Sequence, residues 1–305
     1  MGEAGERHHG RLRQALPSPF VDEYRSASLS AWSTVAPDWA ELSGRIDRQL
    51  GPAADWIIEA LELAPGQSVL ELAGGPGTLS IMAARAVGPS GRVIYSDFAE
   101  PMVDAARERL TAEGLTSVEF RLLDAEAIDL PEDSVDAVAC RMGYMLMAEP
   151  GVALRETARV LRPGGKVALA VWAEQGSNPW AALPIREVAS HLSLPAPPPD
   201  GPGLWSLSEE SKLRTVLEGA GFGSIEVVAL DSTTEFDSAD QWIELTRRLA
   251  GPLRALWSGL DETTRATVEQ LIRDAAGPYE DADGRLSLPQ RMLAAVAVAP
   301  PGSPG

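Results

Sequence analysis

The spacing of apolar positions changes character along the chain, and each change predicts a different element. Between residues 20 and 63 apolar residues recur every three or four positions: Trp32, Val35, Trp39, Leu42 and Ile46, then Trp56, Ile57, Ala60, Leu61 and Leu63. That is the period of amphipathic helices, and Pro65-Gly66 ends the run. From residue 68 the pattern becomes short apolar blocks alternating with helical stretches. Strands are predicted at 68–73, 92–96, 118–122, 135–140 and 166–173. Helices are predicted at 78–87, 100–113 and 151–161, each stopped by glycine or Pro-Gly. Strands alternating with helices of this length imply βαβ units and a parallel sheet.

Beyond residue 173 the signal weakens. Pro195–Gly203 (PAPPPDGPG) is too rich in proline and glycine for a helix interior or central strand. It reads as a stiff surface loop or part of a substrate lid, with His191 on a short helical stretch before it. A helix follows at 208–218, a sixth strand at 224–230, helices at 240–249 and 262–275, and a seventh strand at 293–299. The fold class is therefore α/β: a seven-stranded, mostly parallel sheet with helices on both faces, N-terminal helices, and a helical insertion between strands six and seven. The expected organisation is an arm and helical cap (1–63, with 1–19 a loose arm), a ligand-binding core (64–173), and remaining strands with lid loop and insertion (174–305, insertion 237–290).

Composition narrows the function. The net charge is −18 and only Lys166 and Lys212 are lysines, which argues against a nucleic-acid partner. No apolar run approaches the roughly 18 residues of a membrane helix, and no leader-like stretch opens the chain, so no membrane partner is expected. Cys140 is the single cysteine, in keeping with a reducing cytoplasm, and no Cys/His cluster has metal-ligand spacing.

The candidate chemistry sits at Glu71-Leu72-Ala73-Gly74-Gly75-Pro76-Gly77, between a predicted strand and helix. Glycines there allow a sharp turn and close approach of a ligand. The loop alone fits several nucleotide ligands. A dinucleotide fingerprint meets Ser80 where Gly or Ala is wanted, and no Gly-Lys-Ser/Thr follows for a phosphate loop. Glu71, Asp97 and Asp124 end the first three strands, where sheets of this kind bind ligands. Three carboxylates oppose a pyrophosphate and suit a cation bearing hydroxyls and amines.

Residues 67–173 resemble class I S-adenosylmethionine-dependent methyltransferases of Rossmann-like fold. The likeness rests on the glycine loop, on Ser96-Asp97-Phe98-Ala99-Glu100-Pro101-Met102, on Asp124-Ala125-Glu126, and on Val160-Leu161-Arg162-Pro163-Gly164-Gly165-Lys166, in that order. The resemblance implies S-adenosylmethionine as cofactor and S-adenosylhomocysteine as product. It implies that Glu71, Ala73, Gly74, Gly75 and Gly77 serve the methionine end, and that Asp97 bridges the ribose hydroxyls. Phe98 and Met102 would lie by the adenosine, with Asp124, Ala125 and Glu126 at the adenine. Apart from the resemblance, the predicted N-terminal helix supplies Tyr24, Trp32 and Trp39 to close over the cofactor. Many members have glycine where Ala73 stands; alanine is tolerable there if its φ stays below zero.

The Ala-Gly-Gly-x-Gly form is similar to the quinone C-methyltransferases. Asn178-Pro179-Trp180 resembles a feature of actinobacterial small-molecule methyltransferases. The resemblance places Arg141 and Tyr144 near the transferred methyl, as cofactor or acceptor contacts. Tyr144, Arg141 and His191 are the candidate catalytic residues, and no metal site is expected. A small, apolar or aromatic acceptor enclosed by the cap is the leading expectation, with RNA or protein methylation, or a non-methylating protein that keeps the cofactor, as alternatives.

Overall fold

A computed structural model describes residues 19–195 and 201–300. Residues 1–18 of the expected arm 1–19 and the centre of the proline-rich loop, 196–200, lie outside the described residues; Pro19 opens the first helix. The N-terminal helices are three: α1 (Pro19–Glu41), α2 (Ser43–Gln49) and α3 (Gly51–Leu61). Then come β1 (Ser68–Glu71), α4 (Thr78–Val87), β2 (Arg92–Asp97), α5 (Glu100–Ala112), β3 (Glu119–Leu122), β4 (Val135–Arg141), α6 (Pro150–Val160) and β5 (Leu161–Trp172). The chain closes with α7 (Pro179–His191), α8 (Glu210–Gly219), β6 (Gly223–Phe236), α9 (Ala239–Leu249), α10 (Gly251–Ser258), α11 (Glu262–Ala276) and β7 (Leu286–Val298).

The sheet order is β3-β2-β1-β4-β5-β7-β6. β1 to β5 pair in parallel, and β7 runs antiparallel to both neighbours. The seven-stranded, mostly parallel sheet is thus as the sequence predicts. The inner strands are apolar on both faces because helices cover both: Val69, Leu70, Ile94, Val138 and Val167 to Val171 are all buried. The order reverses between β1 and β4, so the carboxyl ends of β1, β2 and β4 surround one crevice.

Several elements differ from the sequence reading, α10 among them, which it did not contain. β5 begins at Leu161, not Lys166, because Leu161 pairs with Val135 while Lys166 pairs with Ala137; the Pro-Gly-Gly turn bulges out between them. α7 is longer than the short helical stretch expected before the proline-rich loop, since Pro184 inside it disguises a helix. β6 and β7 are longer than expected and pair beyond the sheet, from Asp231↔Arg291 to Phe236↔Leu286. Pro289 is tolerated there because β5 pairing with β7 stops at Met292, which leaves Pro289 without a second neighbour to serve. The insertion (α9–α11) rides on this extended hairpin. With α7 it builds a second core around Trp242, Trp257, Val268 and Ile272.

Candidate functional site

The glycine loop is clamped at both ends. Leu72 N donates to Ala139 O at 2.9 Å and Gly74 N donates to Ser96 O at 2.9 Å, so the loop hangs between β4 and β2. A Cβ on Gly74 would collide with the Tyr95 ring, and one on Gly77, at φ +79°, would stand 2.6 Å from Leu110. Ala73 departs from expectation: its φ is +51°, in the left-handed region. An alanine there is strained by about 1 kcal/mol. Gly143 makes room for it, since a Cβ on Gly143 would lie 2.7 Å from that of Ala73.

Asp97 closes β2 with its carboxylate buried. One oxygen accepts from Gly75 N at 3.0 Å and the other from Ala99 N at 3.0 Å. Burial pushes this carboxyl up to about 6, against the pull of the amides around it. Tyr95 Oη donates to Gly75 O at 2.7 Å and fixes the loop from beneath. Asp124 is exposed and accepts from Glu126 N at 2.9 Å, which turns the chain after β3. Ala125 and Glu126 are buried beside it; Glu126 pairs with Arg25 and accepts from Glu149 N at 3.1 Å. Glu71, by contrast, faces into the start of α4. It accepts from Ser80 N at 2.8 Å and from the Ser80 hydroxyl, and burial raises its carboxyl to about 7. It is a buried brace between strand and helix.

Helix α1 lies over this end of the sheet. Trp32 meets Trp39 edge-on at 5.4 Å, and the pair packs with Phe98, Val35, Ala36, Ala99 and Met102 in one apolar cluster. Tyr24 Oη donates to Leu146 O at 3.0 Å. At its far end α1 reaches the insertion: Trp39 Nε1 donates to Leu249 O at 2.9 Å, and Asp38 accepts from Arg248 at 2.7 Å and from Arg254. Arg25, Asp47 and Arg109 belong to this site and were not singled out from sequence. Each acts through a partner 60 or more residues away, and no local spacing announces such pairs.

The expected acceptor-side residues divide. Arg141 ends β4, buried, with Nη2 donating to Thr78 Oγ1 at 3.1 Å. Tyr144, a candidate catalytic residue, is turned into the core instead, its hydroxyl 2.6 Å from Thr157 Oγ1. His191, the single histidine among the described residues, is exposed in the last turn of α7. Asn178 is a buried lock. Its amide nitrogen serves Ala173 O, Glu174 O and Arg291 O, and its oxygen accepts from Arg291 N at 3.0 Å. The Trp180 ring packs against Trp172 with centroids 4.7 Å apart and planes tilted by 56°. Gly203, at the end of the expected lid, donates from N to Met145 O at 3.0 Å. Among the described residues no cluster of His, Cys, Asp or Glu could hold a metal ion, and no helix is long and apolar enough to cross a membrane.

This donor set suits a nucleoside cofactor without phosphates. A buried carboxylate stands at the end of β2, a second acid follows β3, and the loop between β1 and α4 has no room for a side chain at Gly74 or Gly77. A parallel sheet with this switch point and these acids defines a Rossmann-like nucleoside-binding domain.

Residues 69–165 match the family model of the methyltransferase domain. The chain is 31% identical over 181 residues to the ubiquinone/menaquinone biosynthesis C-methyltransferase of Escherichia coli O1:K1 / APEC, covering 56% of this chain and 72% of that relative. It is 40% identical over 116 residues to the protein of the same name from Hydrogenovibrio crunogenus, covering 37% and 46%. The YcgJ protein of Bacillus subtilis has a similar fold, with a TM-score of 0.56 at 18% identity over 82% of this chain and 99% of that one. The chain spans about half the length, or less, of the first relatives it matches. It belongs to the class I S-adenosylmethionine-dependent methyltransferases.

Proposed function

We propose that the protein transfers a methyl group from S-adenosylmethionine to a small, apolar or aromatic metabolite. The observation that carries this reading is Asp97. Its carboxylate is fixed by two backbone amides at the end of β2, where it can accept from a vicinal diol. The cofactor would supply a methyl on a sulfonium, activated for in-line displacement. The chain's own part is to orient and to exclude water. Gly74 lets the loop pack on the Tyr95 ring, Gly75 leaves the main chain bare beside Trp39, and the cluster of Trp32, Phe98 and Met102 offers an apolar wall.

The small acceptor is supported by the cap. Helix α1 spans from the glycine loop to α9 and α10, so the two partners would be enclosed between one helix and the insertion. Relatives named for ubiquinone and menaquinone biosynthesis favour the same substrate class, and the net charge of −18 opposes a polyanionic one. With the Tyr144 hydroxyl engaged by Thr157, and with His191, the histidine among the described residues, exposed, the reading relies on proximity and desolvation.

Calorimetry with S-adenosylhomocysteine tests the core of the reading. Wild type should bind it, and Asp97→Ala should weaken binding by about 1.5–3 kcal/mol, the scale of hydrogen bonds to a charged acceptor. Label transfer from methyl-tritiated cofactor to a panel of quinols and phenols tests the acceptor class. Binding of NAD in place of S-adenosylhomocysteine would overturn the proposal.

A further inference from the structure

Most of the glycine loop is bound from within the sheet. Gly74 N donates to Ser96 O at 2.9 Å, and Gly74 O accepts from Gly77 N at 2.9 Å. Gly75 N donates to Asp97 at 3.0 Å, and Gly75 O accepts from Tyr95 Oη at 2.7 Å. Tyr95, Ser96 and Asp97 are buried residues of β2. The carbonyl of Pro76 is held differently. It accepts from Arg109 Nη1 at 3.1 Å, the tip of a long side chain on α5 that is 24% exposed.

Arg109 is in turn held from outside the sheet and its flanking helices. Its Nη2 donates to Asp47 on α2 at 2.5 Å. Asp47 also accepts from the hydroxyl of Thr78, the first residue of α4, and Arg109 Nη1 stands 3.3 Å from the same hydroxyl. One carboxylate on the N-terminal helices thus gathers α4 and α5 around the loop exit. Partly exposed ion pairs add little to global stability, so stability alone is a weak reason for this clasp. Its position supplies a better one. Gly77 stands at φ +79°, a conformation that glycine enters and leaves with equal ease. Fixing the Pro76 carbonyl fixes the peptide that precedes Gly77, and a loop already ordered spares its ligand that cost.

We propose that Asp47 is a positioning residue for cofactor binding: through Arg109 it fixes the Pro76 carbonyl and preorganises the exit of the glycine loop. This rests on the methyltransferase reading and deepens it. Neither Asp47 nor Arg109 touches the cofactor in this assignment; both act on the shape of the loop. The same N-terminal helices carry Trp39, whose ring lies over Gly75. Docking of α1 and α2 would therefore cover the loop and set its shape in one step, and cofactor affinity would depend on that docking.

Calorimetry with S-adenosylhomocysteine on the full chain, paired with urea unfolding, tests the assignment. Asp47→Ala and Arg109→Gln should each weaken binding about five- to tenfold, the worth of one net hydrogen bond or slightly more. The double variant should lose no more than either single one, because both remove the same clasp. Asp47→Glu should recover part of the loss, which a merely structural contact at this site would not require. Arg109→Lys keeps the charge and the helix but loses the fork that spans Asp47 and Pro76, so it should also bind several-fold more weakly. Glu113→Gln, which breaks the exposed α4–α5 pair with Arg85, should stay within twofold of wild type. Affinity within twofold of wild type in Asp47→Ala or in Arg109→Lys would overturn the assignment. So would losses that multiply in the double variant, or an equal loss in Glu113→Gln. Wild type that does not bind S-adenosylhomocysteine would bring down the methyltransferase reading itself.

Discussion

The two ends of the sheet treat buried polar groups in opposite ways. Around β1, β2 and β4 they are held out of their preferred states. Glu71 and Asp97 are pushed up to about 7 and about 6 by burial, and Arg141 is pushed down with one nitrogen unpaired. Around β5, β7 and α7 they are consumed by structure. Asn178 uses both ends of its amide, Trp242 Nε1 donates to Trp180 O at 2.9 Å, and Gln290 bridges Gln49 and Ser232; Trp257 Nε1 and Arg265 Nε are the exceptions. Groups with shifted titration concentrate where functional sites are common, and saturated ones mark scaffold. The contrast sets the shifted groups beside the glycine loop and the saturated ones beneath the helical insertion.

The largest effect should come from the scaffold. Trp242 is fully buried in the second core, and Trp242→Ala should lower global stability by about 3–5 kcal/mol, read from denaturant unfolding. Affinity for S-adenosylhomocysteine should stay within about twofold, because distant sites behave independently. A parallel fall in affinity would break the division of labour between the halves, and would show that the insertion shapes the cofactor site through α1.

A smaller effect is expected at the strained end, and its sign is set by burial. Glu71 in the folded chain is raised from 4.5 to about 7, so the folded state holds a proton that the unfolded state has lost. Its contribution is fully present below pH 4.5 and declines as pH rises towards 7. The loss is up to about 3 kcal/mol. Asp97 adds the same sign between 3.8 and about 6. Glu71→Gln mimics the protonated acid and should flatten most of this slope in unfolding titrations between pH 4 and 8. A wild-type protein whose stability climbs across that window would show that Glu71 is ionised and paired in the fold.

The same contrast explains what the sequence made legible. Local grammar wrote the first half: strand, glycine loop, helix, acid at the next strand end. Gly74, Gly77 and Asp97 could therefore be placed from neighbours alone. Long-range pairing wrote the rest. Asp47 meets Arg109 and Arg141 only because α2 folds back over α5 and β4, and β6 continues past Leu230 only because β7 pairs with it. Thr233 and Thr234 suit a strand but, among Asp231, Ser232 and Glu235, read as loop without that partner. Ala73 was misjudged for a related reason. Its φ is dictated by the clamp between Ala139 and Ser96 and by the space left at Gly143, none of which is local.

Tyr144 gives the smallest and sharpest test of the comparison. Its family position suggests a contact near the methyl, yet the structure buries the ring and commits the hydroxyl to Thr157, which itself donates to Ala153 O at 2.8 Å. Burial also drives the phenol well above its usual range, away from any role as a base near neutral pH. Tyr144→Phe should remove one buried hydrogen bond and lower stability by about 1 kcal/mol. Its methyl-transfer rate, measured with an acceptor found by label transfer, should match wild type. A large fall in kcat at unchanged stability would mean that the phenol leaves Thr157 when the acceptor arrives. The boundary between scaffold and site would then run through the turn after β4 and no longer beside it.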